Sequence, residues 1–224
     1  MEGIQTTTEL LNGLNGGNTP ALNMIYTLTL VALLPSIVIM MTSFVRIIII
    51  LSFTRNALGV QQTPPNIVLV GISLFLTLFI MSPTIKKVNE TAYQPYQRGE
   101  ITQEAAIERM QVPMKEFMLK NTEQKTLDKF IEMSKTEKVE DPKDYPLTVI
   151  TPAFMTSELK RGFMAGFLIY LPFLLIDIVV ATTLMSMGMA MMPPTMVSMP
   201  FKLLLFVSVN GWQLLFSTVI SSFR

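Results

Sequence analysis

The sequence predicts an all-α membrane protein: four hydrophobic helical segments as two helical hairpins, with a small helical extracytoplasmic insert between them. Charged residues make up 15% of the 224 residues, against about 25% in a globular domain. Apolar residues make up 50%, and mean hydropathy is +0.47. The charge is also segregated. Between Thr84 and Gly162 lie 13 of the 17 Lys and Arg and 13 of the 16 Asp and Glu, with long apolar runs on either side. Four regions follow: a flexible tail (1–20), a first membrane-type hairpin (21–83), the insert (84–156) and a second hairpin with a Met-rich turn (157–224).

The tail is polar and carries Glu2 and Glu9 but no basic residue. It lacks the positive and apolar regions of a secretory signal. Asn12-Gly13 and Asn15-Gly16-Gly17-Asn18 read as flexible loop.

The first apolar segment runs from Ala21 to about Phe53, longer than the ~20 residues that span a bilayer. Pro35 predicts a kink or break in it, because proline removes an N–H and crowds the preceding turn. Arg46 lies near its end and reads as an interfacial anchor that snorkels. The connection Thr54–Asn66 ends in Pro64-Pro65. The second apolar run, Ile67–Met81, is short for a clean span and is closed by Pro83. Such Pro-marked segments suit helices buried in protein, where irregular backbone is tolerated at membrane depth.

In the insert, Thr102 predicts a capped helix reaching Gln111, and Pro113 opens a second, PMKEFMLKN. Thr122 caps a third, with Leu127, Phe130, Ile131 and Met133 on one face. Glu140–Pro146 is a loop, and the β-branched LTVITPAF reads as extended. Thr156 or Ser157 then caps the next helix. Glu158 falls in its first turn, where the helix dipole favours an acid. Glu158, Lys160 and Arg161 read most simply as a solvated helix start.

The third apolar segment carries a lone acid, Asp177, and an acid inside a membrane helix is costly and marks function. Seven methionines follow between Met185 and Met199, interrupted by Pro193-Pro194. The prolines stop the helix, so the segment ends in a soft Met-lined turn before a returning helix. Met185, Met189, Met192 and Met196 recur at near-helical spacing, which is how a packing face reads. Met187 and Met191 lie off that face, and flexible methionine also suits a surface that seals. The fourth segment, Leu203–Ile220, is led by Lys202 and carries Asn210, Trp212 and Gln213. The acidic tail, and the short connections carrying or adjoining Arg55 and Lys202, place the insert outside the membrane. Lys and Arg steer topology only over loops shorter than ~60 residues, so the insert's own charges do not enter.

Cysteine and histidine are absent. Thiol nucleophiles, His–Cys zinc sites, catalytic triads and imidazole relays go with them. No glycine-rich phosphate cradle is visible, and a net charge of +1 gives no field for nucleic acid. The expectation is a non-enzyme without a cofactor. Asp177 fits two roles: pairing with a cation such as Arg46 to specify packing, or binding and relaying protons. A hydrolase would need a second acid, and no apolar segment has one. A small ion or proton transporter using Asp177 remains the alternative, although the symmetric repeats common in transporters are not visible.

Several runs together carry a resemblance. They are MMTSFVRIIIILSFTRNALG (Met40–Gly59), PPNIVLVGISLFLTLFIMSPT (Pro64–Thr84), TPAFMTSELKRGF (Thr151–Phe163), LPFLLIDIVVATTLMSMGMAMMPP (Leu171–Pro194) and PFKLLLFVSVNGWQLL (Pro200–Leu215). From about residue 30 onward, in order, the chain resembles the FliP/SctR family of type III secretion export-gate proteins. The insert matches more loosely. Many family members begin with a cleavable signal peptide, and this sequence shows none. The resemblance implies a pentamer in the flagellar basal body at the bacterial inner membrane. FliQ-like and FliR-like subunits complete a channel for unfolded flagellar proteins. Met189, Met191 and Met192 would form the gasket that closes it. Glu158 would make inter-subunit salt bridges. The set singled out for inter-subunit or intramembrane ion pairs is Glu158, Lys160, Asp177, Arg46 and Lys202.

Overall fold

The computed structural model describes residues 20–60, 62–137, 139–189 and 191–223. Among them every regular element is helical. The expected flexible tail lies, Pro20 apart, outside the described residues. Two units are distinguished, divided after Ile39. The first holds α1 (Pro20–Met40), whose last residue begins the second unit. Pro35 lies inside α1 and does not end it. The break in the first apolar segment comes instead at residues 41–43, where the Thr42 hydroxyl accepts the N–H of Phe44 at 3.4 Å. Short hydroxyl side chains offer the backbone such alternatives to the helical ladder.

The second unit comprises α2 (Phe44–Ala57), α3 (Asn66–Val88), α4 (Gln103–Lys120), α5 (Gln124–Ser134), α6 (Leu147–Ser186), α7 (Pro194–Ser208) and α8 (Gly211–Ser221). Helix α3 does not stop at Pro83. It runs on through a π turn (Asn89–Tyr93) and a last α turn (Gln94–Gln97). Pro113 likewise lies within α4, so the two helices expected there are one. An interior proline costs about 3 kcal/mol, and the burial of Pro113 shows packing holding that helix through it. Thr102 caps α4 as expected, accepting the N–H of Ala105 at 3.3 Å. Thr122 does not cap α5: its hydroxyl donates back to the Met118 carbonyl at 2.7 Å, and Glu123 is the capping residue. Leu127 and Ile131 form the buried stripe of α5 while Met133 is exposed.

LTVITPAF is helix, not extended chain. Val149, Ile150, Ala153 and Phe154 recur at helical spacing and pack with Met118 of α4 and Leu127 and Ile131 of α5. Tertiary burial overrides the weak β preference of Val, Thr and Ile. Helix α6 therefore starts after Pro146 and runs 40 residues. Thr156 and Ser157 sit inside it, each donating to the carbonyl four residues back, at 2.8 and 2.9 Å.

Helix α2 is the centre of the second unit. Ile47, Ile50 and Leu51 are buried with Leu69 of α3 and Leu215 and Val219 of α8. Against α6 the backbones approach closely over Gly162 and Gly166. A Cβ at Gly162 would lie 3.2 Å from Ile49 Cβ, and one at Gly166 would lie 2.5 Å from Phe53 Cγ. Small residues four apart permit this approach between membrane helices. The fourth apolar segment is not one straight helix. It begins at Pro194 and bends by 62° between α7 and α8, at Asn210 with φ +51°, a left-handed conformation that asparagine tolerates. Among the described residues, two helices, Asn66–Gln97 and Leu147–Ser186, are long and apolar enough to cross a membrane, and α7–α8 makes a third if the bent pair is one span.

Candidate functional site

Three features gather all the singled-out residues but Lys160, which pairs separately with Glu123. The first is a buried ion pair between α2 and α6. Arg46 Nε donates to Glu158 Oε2 at 2.9 Å, and Arg46 Nη2 donates to Glu158 Oε1. Glu158 is 0% and Arg46 3% exposed. Burying a lone charge is costly, so each needs the other, and the guanidinium fork matches both carboxylate oxygens. Arg46 Nη1 also donates to the Ser222 carbonyl at 3.3 Å and hydroxyl at 3.1 Å, and the guanidinium lies 3.7 Å from the Phe223 ring centroid. Ser222 caps the C-terminus of α8, where carbonyls lack helical partners and the dipole favours a cation. One side chain therefore ties α2, α6 and the end of α8.

The second feature closes α7 back on α6. Lys202 Nζ donates to Asp177 Oδ2 at 2.6 Å, and Ser198 Oγ donates to Asp177 Oδ1 at 2.5 Å. Ser198 and Lys202 stand four apart on one face of α7, and both are buried. The partner of Asp177 is thus Lys202. Arg46, the cation offered from the sequence, is engaged by Glu158.

Lys160, two residues after Glu158, points away from that pair. Its Nζ donates to Glu123 Oε2 at 2.7 Å, and the neighbouring Ser157 hydroxyl accepts the N–H of Glu123 at 3.1 Å. The run ELK thus turns its acid into the core and its lysine onto Glu123, the N-cap residue of α5. The hydrogen bond from Lys160 holds the Glu123 carboxyl below its usual range.

The third feature is the tip of the α6–α7 hairpin. Gly188 has φ +78°, which glycine adopts without steric cost. Its N–H donates to Met185 O at 3.1 Å, and that of Met189 to Leu184 O at 3.0 Å. This is the paired hydrogen bonding of a Schellman motif. Pro193 caps α7 and Pro194 is its first residue, a position where the missing N–H costs nothing. The tip therefore carries methionines on a fixed turn. Met191 is 99% exposed, Met187 67% and Met192 47%, while Met189 is half-buried. No titratable group lies in the described part of this turn, so what it offers is a soft apolar surface on a stem locked by Asp177–Lys202.

Several contributors were not read from the sequence. Gly162 and Gly166 were legible as a Gly-x-x-x-Gly pair in GFMAG, and Ser198 as the residue one turn before Lys202. Nothing in the sequence pointed to Ser222 and Phe223 as partners of Arg46.

Residues 27–219 match the FliP family. The chain is 47% identical over 211 residues to the flagellar biosynthetic protein FliP of Aquifex aeolicus, covering 93% of this chain and 88% of the relative. It is 50% identical over 196 residues to that of Bacillus subtilis, covering 88% and 89%. For that of Pectobacterium carotovorum the figures are 48% over 211 residues, 93% and 82%.

Proposed function

From the premise that this chain belongs to the FliP family, membrane proteins of flagellum biogenesis and protein export, we propose that it is a subunit of the flagellar type III export gate. Copies of it, a pentamer, assemble with FliQ-like and FliR-like subunits at the bacterial inner membrane. Together they form the channel through which unfolded flagellar proteins cross. The four apolar segments act as two hairpins, and residues 84–156 lie on the extracytoplasmic side. Met189, Met191 and Met192 close the idle channel. The chain is a mechanical component and catalyses no reaction.

The observation that carries this reading is the exposed methionine tip. Met191 is 99% exposed at the end of a hairpin whose stem is held by an ion pair between buried Lys202 and half-buried Asp177. A rigid stem with an uncovered apolar tip needs copies of itself, or partners, to bring that tip out of water. A proton transporter is less well supported, because both Asp177 oxygens are already hydrogen-bonded, to Lys202 and Ser198.

The test is co-expression with FliQ-like and FliR-like subunits and purification in mild detergent. A ring-shaped oligomer with a closed axial pore is the expected result. A monomer or dimer that supports proton-coupled uptake would overturn the reading.

A further inference from the structure

Arg161, Met164, Leu168 and Pro172 line one side of an open groove of about 820 Å³, whose opposite wall is formed by α7 and α8. The two ends of the groove differ in chemistry. At one, the Arg46–Ser222 hydrogen bonds bring the last turn of α8 beside Arg161, which sits one turn after Glu158. At the other, the rings of Phe173 and Phe206 stand 6.4 Å apart. The polar side chains of the lining, Arg46, Arg161, Thr218 and Ser222, belong to the first end, and the rest of the wall is apolar.

The cations at the polar end are not equivalent. Arg46 is matched by Glu158 and Lys160 by Glu123. Arg161 is half-buried and, among the described residues, has no carboxylate within ion-pair distance and no hydrogen-bond acceptor. A cation at the edge of an apolar wall calls for an anion. The depth of the groove indicates what kind. Arg161 immediately precedes an uncharged run that lasts to Ile176. Pro172 stands eleven residues further along α6, about 16 Å at the helical rise. That is about half the ~30 Å hydrocarbon thickness of a bilayer, the reach of one leaflet. The groove's volume falls in the small-ligand range of about 300–1,000 Å³.

We propose that this groove seats an acyl chain of an anionic phospholipid, with the lipid phosphate on Arg161. The inference needs only that α6 meets the membrane, and stands apart from the methionine gasket.

Native mass spectrometry of the full chain, released from detergent containing equal phosphatidylglycerol and phosphatidylcholine, tests it. The expected result is one retained lipid, with phosphatidylglycerol favoured about fivefold, the scale of one basic residue at an anionic surface. Arg161→Gln should bring phosphatidylglycerol down to the phosphatidylcholine level. Leu168→Trp, which fills the groove, should remove both. Arg109→Gln, an exposed position on α4, should change nothing. Equal retention of the two lipids by the unaltered chain would overturn the proposal, as would unchanged phosphatidylglycerol retention by Arg161→Gln. A lipid-free oligomer that Leu168→Trp dissociates would also overturn it, assigning the groove to a second copy. If Leu168→Trp fails to fold, the Arg161→Gln comparison decides alone.

Discussion

Glu158 turns both carboxylate oxygens to Arg46, 112 residues earlier in the chain, and the same guanidinium reaches Ser222 at the end of α8. Three helices distant in sequence thereby share one buried cation. Its removal is felt within a single chain, before any assembly.

Glu158→Ala is expected to destabilise the chain by about 3–5 kcal/mol, because it strands a buried guanidinium. Thermal unfolding in detergent measures this. Replacing both partners, Arg46→Met with Glu158→Leu, should recover most of the loss, since an apolar pair carries no desolvation penalty. A Glu158→Ala chain of normal stability that fails only to assemble would show instead that Glu158 acts between subunits.

Asp177→Asn keeps shape and hydrogen bonding but leaves the Lys202 charge buried without a counter-charge. The α6–α7 hairpin should loosen, read as increased hydrogen exchange across 177–202, and export should fall with it. Adding Lys202→Met should restore protection. If the single variant stays fully protected and assembled while proton-coupled uptake disappears, Asp177 belongs to a transport site.

Gly166→Ala should cost about 1–3 kcal/mol, as overpacking does, because the new Cβ would lie 2.5 Å from Phe53 Cγ. Gly71→Ala is the control. Nothing lies within 4 Å of its Cβ position in α3, so alanine's helix preference should stabilise by about 0.5–1 kcal/mol. Equal melting shifts of the same sign would contradict the close α2–α6 approach.

The helical class was legible because long uncharged runs and segregated charge leave few alternatives. The Met turn was legible because Pro193-Pro194 marks a helix boundary, although the prolines open α7 and it is Gly188 that ends α6. Readings that leaned on local propensity failed where burial outweighs it. LTVITPAF is helix because Val149, Ile150, Ala153 and Phe154 meet α4 and α5. Pro83 and Pro113 end nothing, since the cost of one missing hydrogen bond is offset by the packing of a long helix. Ion-pair partners were not legible at all. Which of Arg46 and Lys202 meets which acid depends on how the helices cross, and one sequence does not encode that in any local pattern.

Glu116 on α4 bridges Lys143 at 2.9 Å and Lys87 at 3.2 Å. The hydrogen bond from Lys143 first, then that from Lys87, holds its carboxyl below the ordinary 4.5. A depressed acid contributes stability above its unfolded value and loses it as pH falls through the folded one. Lys143 is raised above its ordinary 10.5, chiefly by the hydrogen bond to Glu116. Its contribution is complete below 10.5 and lost as pH rises through the folded value. The turn at Pro142–Asp144 should therefore stay docked on α4 between these limits and loosen on acidification below about pH 4.5. Glu116→Gln should loosen it at neutral pH and abolish the acid step. Native-state proteolysis near this turn as a function of pH reads both, and an acid step that persists in Glu116→Gln would assign it to another carboxylate.

In the proposed export gate, a channel wide enough for an unfolded chain must still exclude ions when idle. A dry apolar constriction does so by dewetting. The seal must also deform around varied side chains, which unbranched methionine does and β-branched residues do poorly. Met191 and Met192 are exposed, and Met189 half-buried, on a turn fixed by Gly188 and Pro193, so shortening all three alters the tip without touching a packed core. Met189, Met191 and Met192 replaced together by Ala should leave the helices and the Asp177–Lys202 stem intact and widen the constriction. The readout is ion conductance of the assembled complex in planar bilayers, or impaired growth on co-expression with the partner subunits. The triple Leu variant, close to methionine in bulk, should leak less than the triple Ala variant. Size exclusion of each variant establishes assembly first. A triple Ala complex that assembles normally and conducts no more than the unaltered one would mean that these methionines pack against partner subunits and do not seal the channel.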